Sequence, residues 1–254
     1  MRSNNIKLRW SQGQATVNGW LSIPSSVSAE IMAHQGWDSL TIDLQHGLVD
    51  YQTALTMLQA VSIKDATPLA RVPWLEAGII MKLLDAGAYG IICPMINTPE
   101  EAQRFVSYCR YAPLGQRSFG PTRAVFYAGA DYAQHANDTI LTLAMIETRQ
   151  ALDNVAAIAA TPGLDGLYIG PSDLSLSMGY TPKLDQEEPA VLEAIEAIRK
   201  AAKDAGISVG IHCLEPSYAQ RMIDQGFDMV TIGSDIRLLG AAAAAAVKAT
   251  KAKG

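Results

Sequence analysis

TPGLDGLYIG, residues 161–170, carries a pattern that recurs along the chain and predicts the fold. In each copy a helical segment ends at a glycine, and an apolar strand follows within a few residues. Glycine at this place adopts the left-handed conformation that ends a helix, without a steric cost from Cβ. The other copies are HQGWDSLTID (34–43), DAGAYGIICP (85–94), DAGISVGIHC (204–213) and DQGFDMVTIG (224–233). The repetition predicts helices that alternate with strands.

The apolar runs after these glycines are rich in Ile, Val and Leu and do not alternate with polar residues. Strands buried on both faces of a parallel sheet have this composition. We predict eight strands, near residues 16–23, 39–45, 67–72, 90–95, 140–147, 166–171, 208–213 and 229–235. Amphipathic patterns and helix-start residues predict helical segments between them, at 50–62, 75–86, 98–110, 148–160, 188–205 and 215–225.

Eight strand–helix units in 254 residues match the size of a (β/α)8 TIM barrel, which is about 250 residues. The alternative is an open doubly wound α/β sheet, which usually begins with a glycine-rich GxGxxG turn that this chain lacks. No linker composition is visible, so residues 1–254 are predicted to form a single domain. Two long connections, 111–138 and 172–187, are predicted to be functional loops, since compact domains rarely keep long loops without a use.

Composition argues against several classes of protein. The net charge is −5 and the signs are interspersed, so there is no basic stripe of the kind that binds nucleic acid. The first residues, MRSNNIKLRW, contain no apolar core of a signal peptide, and no apolar run is long enough to span a membrane. The three cysteines are widely spaced without a CxxC pair, which favours reduced, buried thiols. A cytoplasmic location is expected.

The carboxyl ends of the predicted strands carry polar side chains, and active sites of (β/α)8 barrels lie at these ends. An arginine or a carboxylate placed directly after four apolar residues is costly unless it faces a polar cavity. The residues are Asp43, Gln45 and His46 after strand 2, Arg71 after strand 3, Glu147 after strand 5, Ser172 and Asp173 after strand 6, His212 and Cys213 after strand 7, and Ser234 and Asp235 after strand 8. We therefore predict an active site at this end of the barrel.

Glu147 and Asp173 follow adjacent strands at the same height. Two carboxylates with open positions beside them suit a hard divalent cation such as Mg²⁺ or Mn²⁺. Taken alone, each of them is better explained as a residue that caps a helix or pairs with an arginine. Together with His46 and Arg71 on neighbouring strands, they favour a metal site. His46 is a candidate general base, because the unperturbed imidazole pKa of about 6.5 is close to working pH.

Arg71 presents a planar fork of donors that suits a carboxylate. The turn Gly170-Pro171-Ser172-Asp173 offers backbone N–H groups to the same kind of ligand. Asp85 ends a predicted helix and could orient His46 only if its loop lies near the site.

Two other chemistries are disfavoured. A zinc site on His212 and Cys213 is unexpected because successive strand residues point to opposite faces. A Schiff-base mechanism needs a desolvated lysine at a strand end, whereas lysines such as Lys64 and Lys82 lie on predicted helices or loops.

From about Gly19 to Leu239 the chain resembles the HpcH/HpaI aldolase family, the class II pyruvate aldolases. The motifs that carry the resemblance are GWLSIPSS (19–26), IDLQHG (42–47), ARVPW (70–74), KLLDAGAYGIICPMINTPEEA (82–102), RYAPLGQRSFG (110–120), MIETRQAL (145–152) and GLYIGPSDLSLSMGY (166–180). The last of these is the most specific.

The resemblance implies a divalent metal ion (Mg²⁺, Mn²⁺ or Co²⁺) on Glu147 and Asp173, and no organic cofactor. It implies Arg71 at the carbonyl and carboxylate of the substrate, His46 as the acid/base and Asp85 as the partner of His46. Trp20 would line the pocket with Gln45 and the 170–173 turn. The family forms hexamers, trimers of dimers that exchange the last helix. That property favours a partner subunit for the alanine-rich C-terminal helix, which from sequence alone could equally pack on its own subunit.

These features predict reversible, metal-dependent aldol cleavage of a 4-hydroxy-2-oxo acid to pyruvate or hydroxypyruvate and an aldehyde. Oxaloacetate decarboxylation, or lyase chemistry on a CoA thioester, could use the same site, although no basic groove for a nucleotide is visible. A non-catalytic binding barrel would be expected to have lost its strand-end residues, which are intact here. Gln45 departs from the family, in which many members have Glu, and this change is expected to alter the electrostatics of the pocket.

Overall fold

The predicted strands form a closed parallel barrel in the computed structural model, which describes residues 1–251. Strand order follows the chain, and the last strand closes the barrel by pairing with the first. The strands are β1 (Thr16–Leu21), β2 (Ser39–Asp43), β3 (Thr67–Arg71), β4 (Gly90–Cys93), β5 (Leu141–Ile146), β6 (Gly166–Ile169), β7 (Ser208–Cys213) and β8 (Met229–Ile232). The (β/α)8 prediction is therefore confirmed over the open sheet. The single-domain assignment stays a prediction, and its last residues, 252–254, lie outside the described part.

Helices follow the strands and surround the barrel. They are α1 (Asn5–Ser11), α2 (Ser26–Ala33), α3 (Tyr51–Val61), α4 (Ala77–Asp85), α5 (Pro99–Cys109), α6 (Ala124–Ala128), α7 (Tyr132–Thr139), α8 (Arg149–Asp153), α9 (Val155–Ala159), α10 (Pro171–Ser177), α11 (Pro189–Asp204), α12 (Pro216–Asp224) and α13 (Asp235–Lys251). Each of the predicted helical segments contains one or two of them.

The recurring glycine has the conformation that the sequence pattern predicts. All five copies have positive φ, from 72° at Gly206 to 102° at Gly87. Helix starts are also encoded locally. Thr98 Oγ1 accepts a hydrogen bond from the Glu101 backbone N–H, and the Glu101 carboxylate accepts one from the Thr98 backbone N–H. This capping box satisfies two N–H groups that a helix otherwise leaves unpaired.

The strands are buried on both faces, as their composition predicts. Inside the barrel lie Trp20, Leu69, Ile92, Leu141, Leu143, Met145, Tyr168 and Met229. The outward faces pack against the surrounding helices in a second, larger cluster. Ile6 of α1 is fully buried with the inner cluster and closes the amino-terminal end. Helix α1 was not predicted, because seven residues are too few for a clear helical periodicity.

The two predicted long connections contain short helices. Residues 111–138 include α6 and most of α7, and residues 172–187 include most of α10. Helices of five to eight residues depend on tertiary packing for their stability. In this region the buried Ala124 and Tyr132 supply that packing.

Helix α13 begins at the buried Asp235, but residues 236–251 are all exposed. Leu238 and Leu239 are 43% and 62% exposed, so the helix leaves apolar side chains uncovered on its own chain. The predicted exchange of this helix between subunits is not shown by a single chain.

Candidate active site

A cavity of about 280 Å³ opens at the carboxyl ends of the strands. It is lined by Trp20, Ser22, His46, Arg71, Met145, Glu147, Gly170, Ser172, Asp173, Leu184, His212, Gly233, Ser234 and Arg237. The predicted residues Trp20, His46, Arg71, Glu147, Gly170, Ser172 and Asp173 therefore come together. A larger cavity of about 550 Å³ lies at the opposite end of the barrel, beside α1, where active sites of this fold do not occur.

Arg71 is held in place by Asp43, which the sequence placed at a strand end without a role. Arg71 Nε donates to Asp43 Oδ1 at 2.9 Å, and Nη2 donates to Oδ2 at 2.7 Å. Burial acts to raise the pKa of Asp43, but the hydrogen bonds and charge of Arg71 outweigh it, so the pKa is lowered. The carboxylate stays ionised and fixes the orientation of the guanidinium.

Trp20 links this ion pair to the wall of the cavity. Its Nε1 donates to Asp43 Oδ2 at 3.1 Å, and the Arg71 guanidinium carbon lies 4.7 Å from the indole centroid. Trp20 is only 2% exposed, so the ring is a rigid surface on which the arginine rests. This position agrees with the prediction that Trp20 lines the pocket.

Glu147 is a buried carboxylate that faces the cavity and is 2% exposed. Burial raises the pKa of Glu147 to about 7, and the nearby Asp173 carboxylate acts in the same direction. The Met95 backbone N–H, which donates to Oε1 at 2.8 Å, and the charge of Arg71 oppose this shift. Within residues 1–251 neither Glu147 nor Asp173 forms a salt bridge.

Two backbone positions, Met95 and Gly170, fix the orientation of the Glu147 carboxylate. Met95 has φ of 56°, the left-handed conformation that residues with a side chain rarely adopt, and this conformation aims its N–H at the carboxylate. A Cβ on Gly170 would lie 2.5 Å from Glu147 Oε2, so a side chain there would displace the carboxylate from its present position. Strain and close approach of this kind are typical of functional sites.

The two carboxylates fit a divalent cation. Glu147 is buried next to a second carboxylate and has no counter-ion, a costly arrangement that a bound cation would relieve. No cluster of three or more His, Cys, Asp or Glu occurs in the described part of the chain. Two protein ligands with water and substrate completing the coordination is the usual arrangement for Mg²⁺.

His46 and Asp85 are not brought together within one chain. His46 is exposed in the loop after β2 and lines the cavity, with its backbone N–H 3.3 Å from Asp43 Oδ1. Asp85 ends α4, before β4 begins, and therefore lies at the amino-terminal end of the barrel. There its Oδ1 accepts a hydrogen bond from Arg117 Nη2 at 2.7 Å. The pairing of Asp85 with His46 stays a prediction.

Two further predicted residues lie outside the lining of the cavity. Gln45 donates its backbone N–H to Asp43 Oδ1 at 3.0 Å, and no group in residues 1–251 hydrogen-bonds its buried side-chain oxygen. Pro171 is buried at the first position of α10, where its ring fixes the start of that helix.

Two further lining residues, His212 and Ser234, are strand-end residues that the sequence analysis named without assigning them a role. His212 faces the cavity while Cys213 is buried on the opposite face, so the two side chains do not share one site. Ser22 and Arg237 also line the mouth, and nothing in the local sequence around them marks that role. Asp235 has a structural role, since its carboxylate accepts the backbone N–H groups of Ser22 and Ile23.

Comparison with known proteins agrees with this geometry. The family model described as HpcH/HpaI aldolase/citrate lyase matches residues 18–242. The chain belongs to the HpcH/HpaI aldolase/citrate lyase family. The predicted family, fold and carbon–carbon lyase class are thereby confirmed.

Two relatives of this family member are named aldolases. The hydroxypyruvate/pyruvate aldolase of Rhizorhabdus wittichii is 43% identical over 240 residues, covering 94% of this chain and 96% of its own length. The 4-hydroxy-2-oxo-heptane-1,7-dioate aldolase of Shigella flexneri is 37% identical over 247 residues, covering 95% of this chain and 91% of its own.

Solved structures of other proteins share the barrel. An HpcH/HpaI aldolase/citrate lyase family protein from Burkholderia cenocepacia has a TM-score of 0.91 at 31% identity, covering 98% of this chain and all of its own. The citrate lyase β subunit of Mycobacterium tuberculosis, solved with oxaloacetate and magnesium, covers 87% of this chain and 92% of its own, with a TM-score of 0.59. At 14% identity that second likeness is one of fold alone.

No helix in residues 1–251 is both long and apolar enough to cross a bilayer.

Proposed function

We propose that this chain catalyses reversible, metal-dependent aldol cleavage of 4-hydroxy-2-oxo acids, giving pyruvate or hydroxypyruvate and an aldehyde. The observation that carries the proposal is the buried Glu147 beside Asp173, without a counter-ion, in the same cavity as an arginine fixed by Asp43. The names of the aldolase relatives support the substrate class.

Glu147 and Asp173 would hold Mg²⁺, Mn²⁺ or Co²⁺. A divalent ion bound there would supply a Lewis acid for the carbonyl and carboxylate oxygens of the 2-oxo acid. The backbone N–H groups of Ser172 and Asp173, at the start of α10, would receive the carboxylate.

Arg71 would donate to the C2 oxygen of the substrate, where negative charge develops as the C3–C4 bond breaks. Because Asp43 and Trp20 already hold the guanidinium, little reorganisation would be needed during the reaction. In cleavage, His46 would accept the proton of the C4 hydroxyl as C3–C4 breaks, and a proton delivered to C3 of the enolate would complete pyruvate. In the reverse reaction the C3 proton would leave first, and His46 would return a proton to the new hydroxyl.

Asp85 could assist His46 only from a second copy of the chain, since the two residues lie at opposite ends of one barrel. The exposed apolar face of α13 supports such an assembly, and we propose that this helix packs on a neighbouring subunit in a hexamer. A protein with this site would act on small molecules. The cytoplasmic location of the chain stays a prediction.

The first experiment removes and restores the metal. EDTA is expected to abolish aldolase activity, and Mg²⁺, Mn²⁺ or Co²⁺ to restore it. Glu147→Gln and Asp173→Asn should each lower kcat/KM by about a hundredfold or more, the scale on which single groups that stabilise charge act. Metal affinity, measured by calorimetry, should fall in both variants.

Asp153→Asn is the matched control, because Asp153 is an exposed carboxylate on α8 whose ion pair with Arg149 contributes little. Undiminished activity and metal binding in the Glu147 or Asp173 variants would overturn the proposal. Oxaloacetate as substrate tests the alternative: faster pyruvate release from it than from any 4-hydroxy-2-oxo acid would make the chain a decarboxylase.

A further inference from the structure

Leu184 is an apolar residue of the cavity that the proposed mechanism does not use. It lies in the connection between α10 and α11 and is partly exposed. Two other apolar side chains of the lining, Trp20 and Met145, belong to the cluster inside the barrel and are each 2% exposed. They close the floor of the cavity, whereas Leu184 bounds it on the side of the loops, where it opens to solvent.

The loop that carries Leu184 is anchored on one side by the buried Gln186, which is 2% exposed. Gln186 Nε2 donates to the Lys183 carbonyl oxygen at 2.9 Å and to Ser175 Oγ of α10 at 3.0 Å. Ser175 Oγ in turn donates at 2.9 Å to the carbonyl oxygen of Ser172, a lining residue of the cavity. The backbone directly before Leu184 is therefore fixed to the helix that begins at the proposed metal site.

Asp185 anchors the other side of the same loop. Its Oδ1 accepts a hydrogen bond from the Leu214 backbone N–H at 2.7 Å, and its Oδ2 accepts one from the Glu215 backbone N–H at 3.0 Å. These two residues join β7 to α12, so the carboxylate ties the loop to the next strand–helix unit of the barrel. Hydrogen bonds to an ionised group are roughly twice as strong as neutral ones. Leu184 thus lies between two anchors and forms a fixed wall of the cavity.

The shape of the cavity determines which part of a substrate meets this wall. In the proposed reaction Glu147, Asp173 and Arg71 hold the 2-oxo acid at the strand ends. Because buried side chains close the floor, the remaining chain of a longer substrate has room only toward the mouth. That remaining chain comes from the aldehyde, and Leu184 supplies an apolar side chain on that side.

The cavity is small for the substrate that it would hold. Its volume of about 280 Å³ lies below the range of about 300–1,000 Å³ that is usual for ligand sites. A side chain fixed at both ends of its loop resists displacement by a larger ligand. One methylene group more or less in an apolar pocket changes specificity by about ten- to two-hundredfold. The size of the side chain at position 184 should therefore set the length of aldehyde that the site accepts.

We infer that Leu184 is a specificity-determining residue that limits the aldehyde to short chains, and that Gln186 is the residue that positions it. This inference rests on the proposed aldolase function. It adds the class of acceptor, because the proposed function leaves the length of the aldehyde open.

The test compares propanal with hexanal as acceptors for pyruvate in the metal-loaded protein. The wild type should favour propanal. In Leu184→Ala, the ratio of kcat/KM for hexanal to that for propanal should rise by about tenfold or more, with the propanal value kept within about threefold. In Leu184→Phe the same ratio should fall, because the larger side chain takes up more of the cavity.

Gln186→Glu tests the anchor, since the variant has the same size but presents an oxygen in place of the donor nitrogen. The loop should loosen, and the hexanal-to-propanal ratio should rise as in Leu184→Ala, whereas a purely structural effect would lower both values together. Lys183→Ala is the control, because the Lys183 side chain is exposed and does not line the cavity. It should leave the ratio unchanged.

Exchange of the C3 protons of pyruvate into deuterated water, followed by NMR without any aldehyde, isolates the donor half of the reaction. The exchange should be unchanged in both Leu184 variants, because the wall faces the aldehyde. A wild type that prefers hexanal, a ratio unaltered by both substitutions, or an equal loss with both aldehydes would overturn the role of Leu184. A wild type that neither exchanges these protons nor cleaves any 4-hydroxy-2-oxo acid would overturn the proposed function itself.

Discussion

Glu147 shows how one side chain can link stability to function. Burial makes its ionised form costly, and the pKa of about 7 expresses that cost. Met95 and Gly170 nevertheless hold the carboxylate in one orientation, with a strained backbone on one side and no Cβ on the other. A buried carboxylate held in one orientation without a counter-ion favours a bound cation.

The metal-free protein should therefore lose stability as pH rises. The pKa of Glu147 is about 7 when folded and close to the ordinary 4.5 when unfolded. Its favourable contribution is complete below pH 4.5 and is lost as the pH rises through 7. The full shift corresponds to about 3 kcal/mol.

Urea unfolding in EDTA between pH 5 and 8 measures this effect. Glu147→Gln, which cannot ionise, should gain stability relative to wild type across that range, and saturating Mg²⁺ should reverse the trend. A constant difference between the two proteins would show that Glu147 does not titrate there.

Among the helices and strands, the helix-ending glycines fix where five of the connections turn. They stop five helices at the amino-terminal end of the barrel, and each next strand begins within a few residues. Gly206 has φ of 72° and nothing within 4 Å of an added Cβ, so a substitution there tests backbone strain alone.

Gly206→Ala should destabilise the protein by about 1 kcal/mol, because alanine resists the left-handed conformation. Gly78→Ala is the matched control, since Gly78 lies inside α4 with the same free space and an ordinary helical φ. That variant should be neutral or stabilising by up to about 1 kcal/mol. Chemical denaturation measures both, and equal effects would contradict the assignment.

The apolar side chains of helix α13 are not covered by any other part of a single chain within residues 1–251. An outer helix of a (β/α)8 barrel ordinarily buries an apolar stripe, whereas residues 236–251 bury none. Uncovered apolar side chains on a long helix mark a protein–protein contact. The described chain is therefore expected to be part of an assembly.

Leu238→Asp combined with Leu239→Asp should shift the protein to smaller species, because charges on the covered face oppose association. Light scattering coupled to gel filtration gives the mass, which for a hexamer is six times the 27.2 kDa chain. Ala197→Asp, on the exposed face of α11, is the control and should leave the mass unchanged. A wild-type monomer, or an unaltered mass in the double variant, would contradict the prediction.

Local chemistry in the sequence determined much of this protein. Glycine placement, apolar runs and capping residues predicted every strand and the order of the barrel, because these signals act over a few neighbouring residues. Because the carboxyl ends of parallel barrel strands meet at one end of the barrel, the predicted strands also placed Arg71, Glu147 and Asp173 together there. Only the tertiary structure showed Asp43 holding Arg71, His212 turned into the cavity and Asp85 at the far end. Those relations depend on side-chain directions and on contacts between distant strands, which spacing along the chain does not fix.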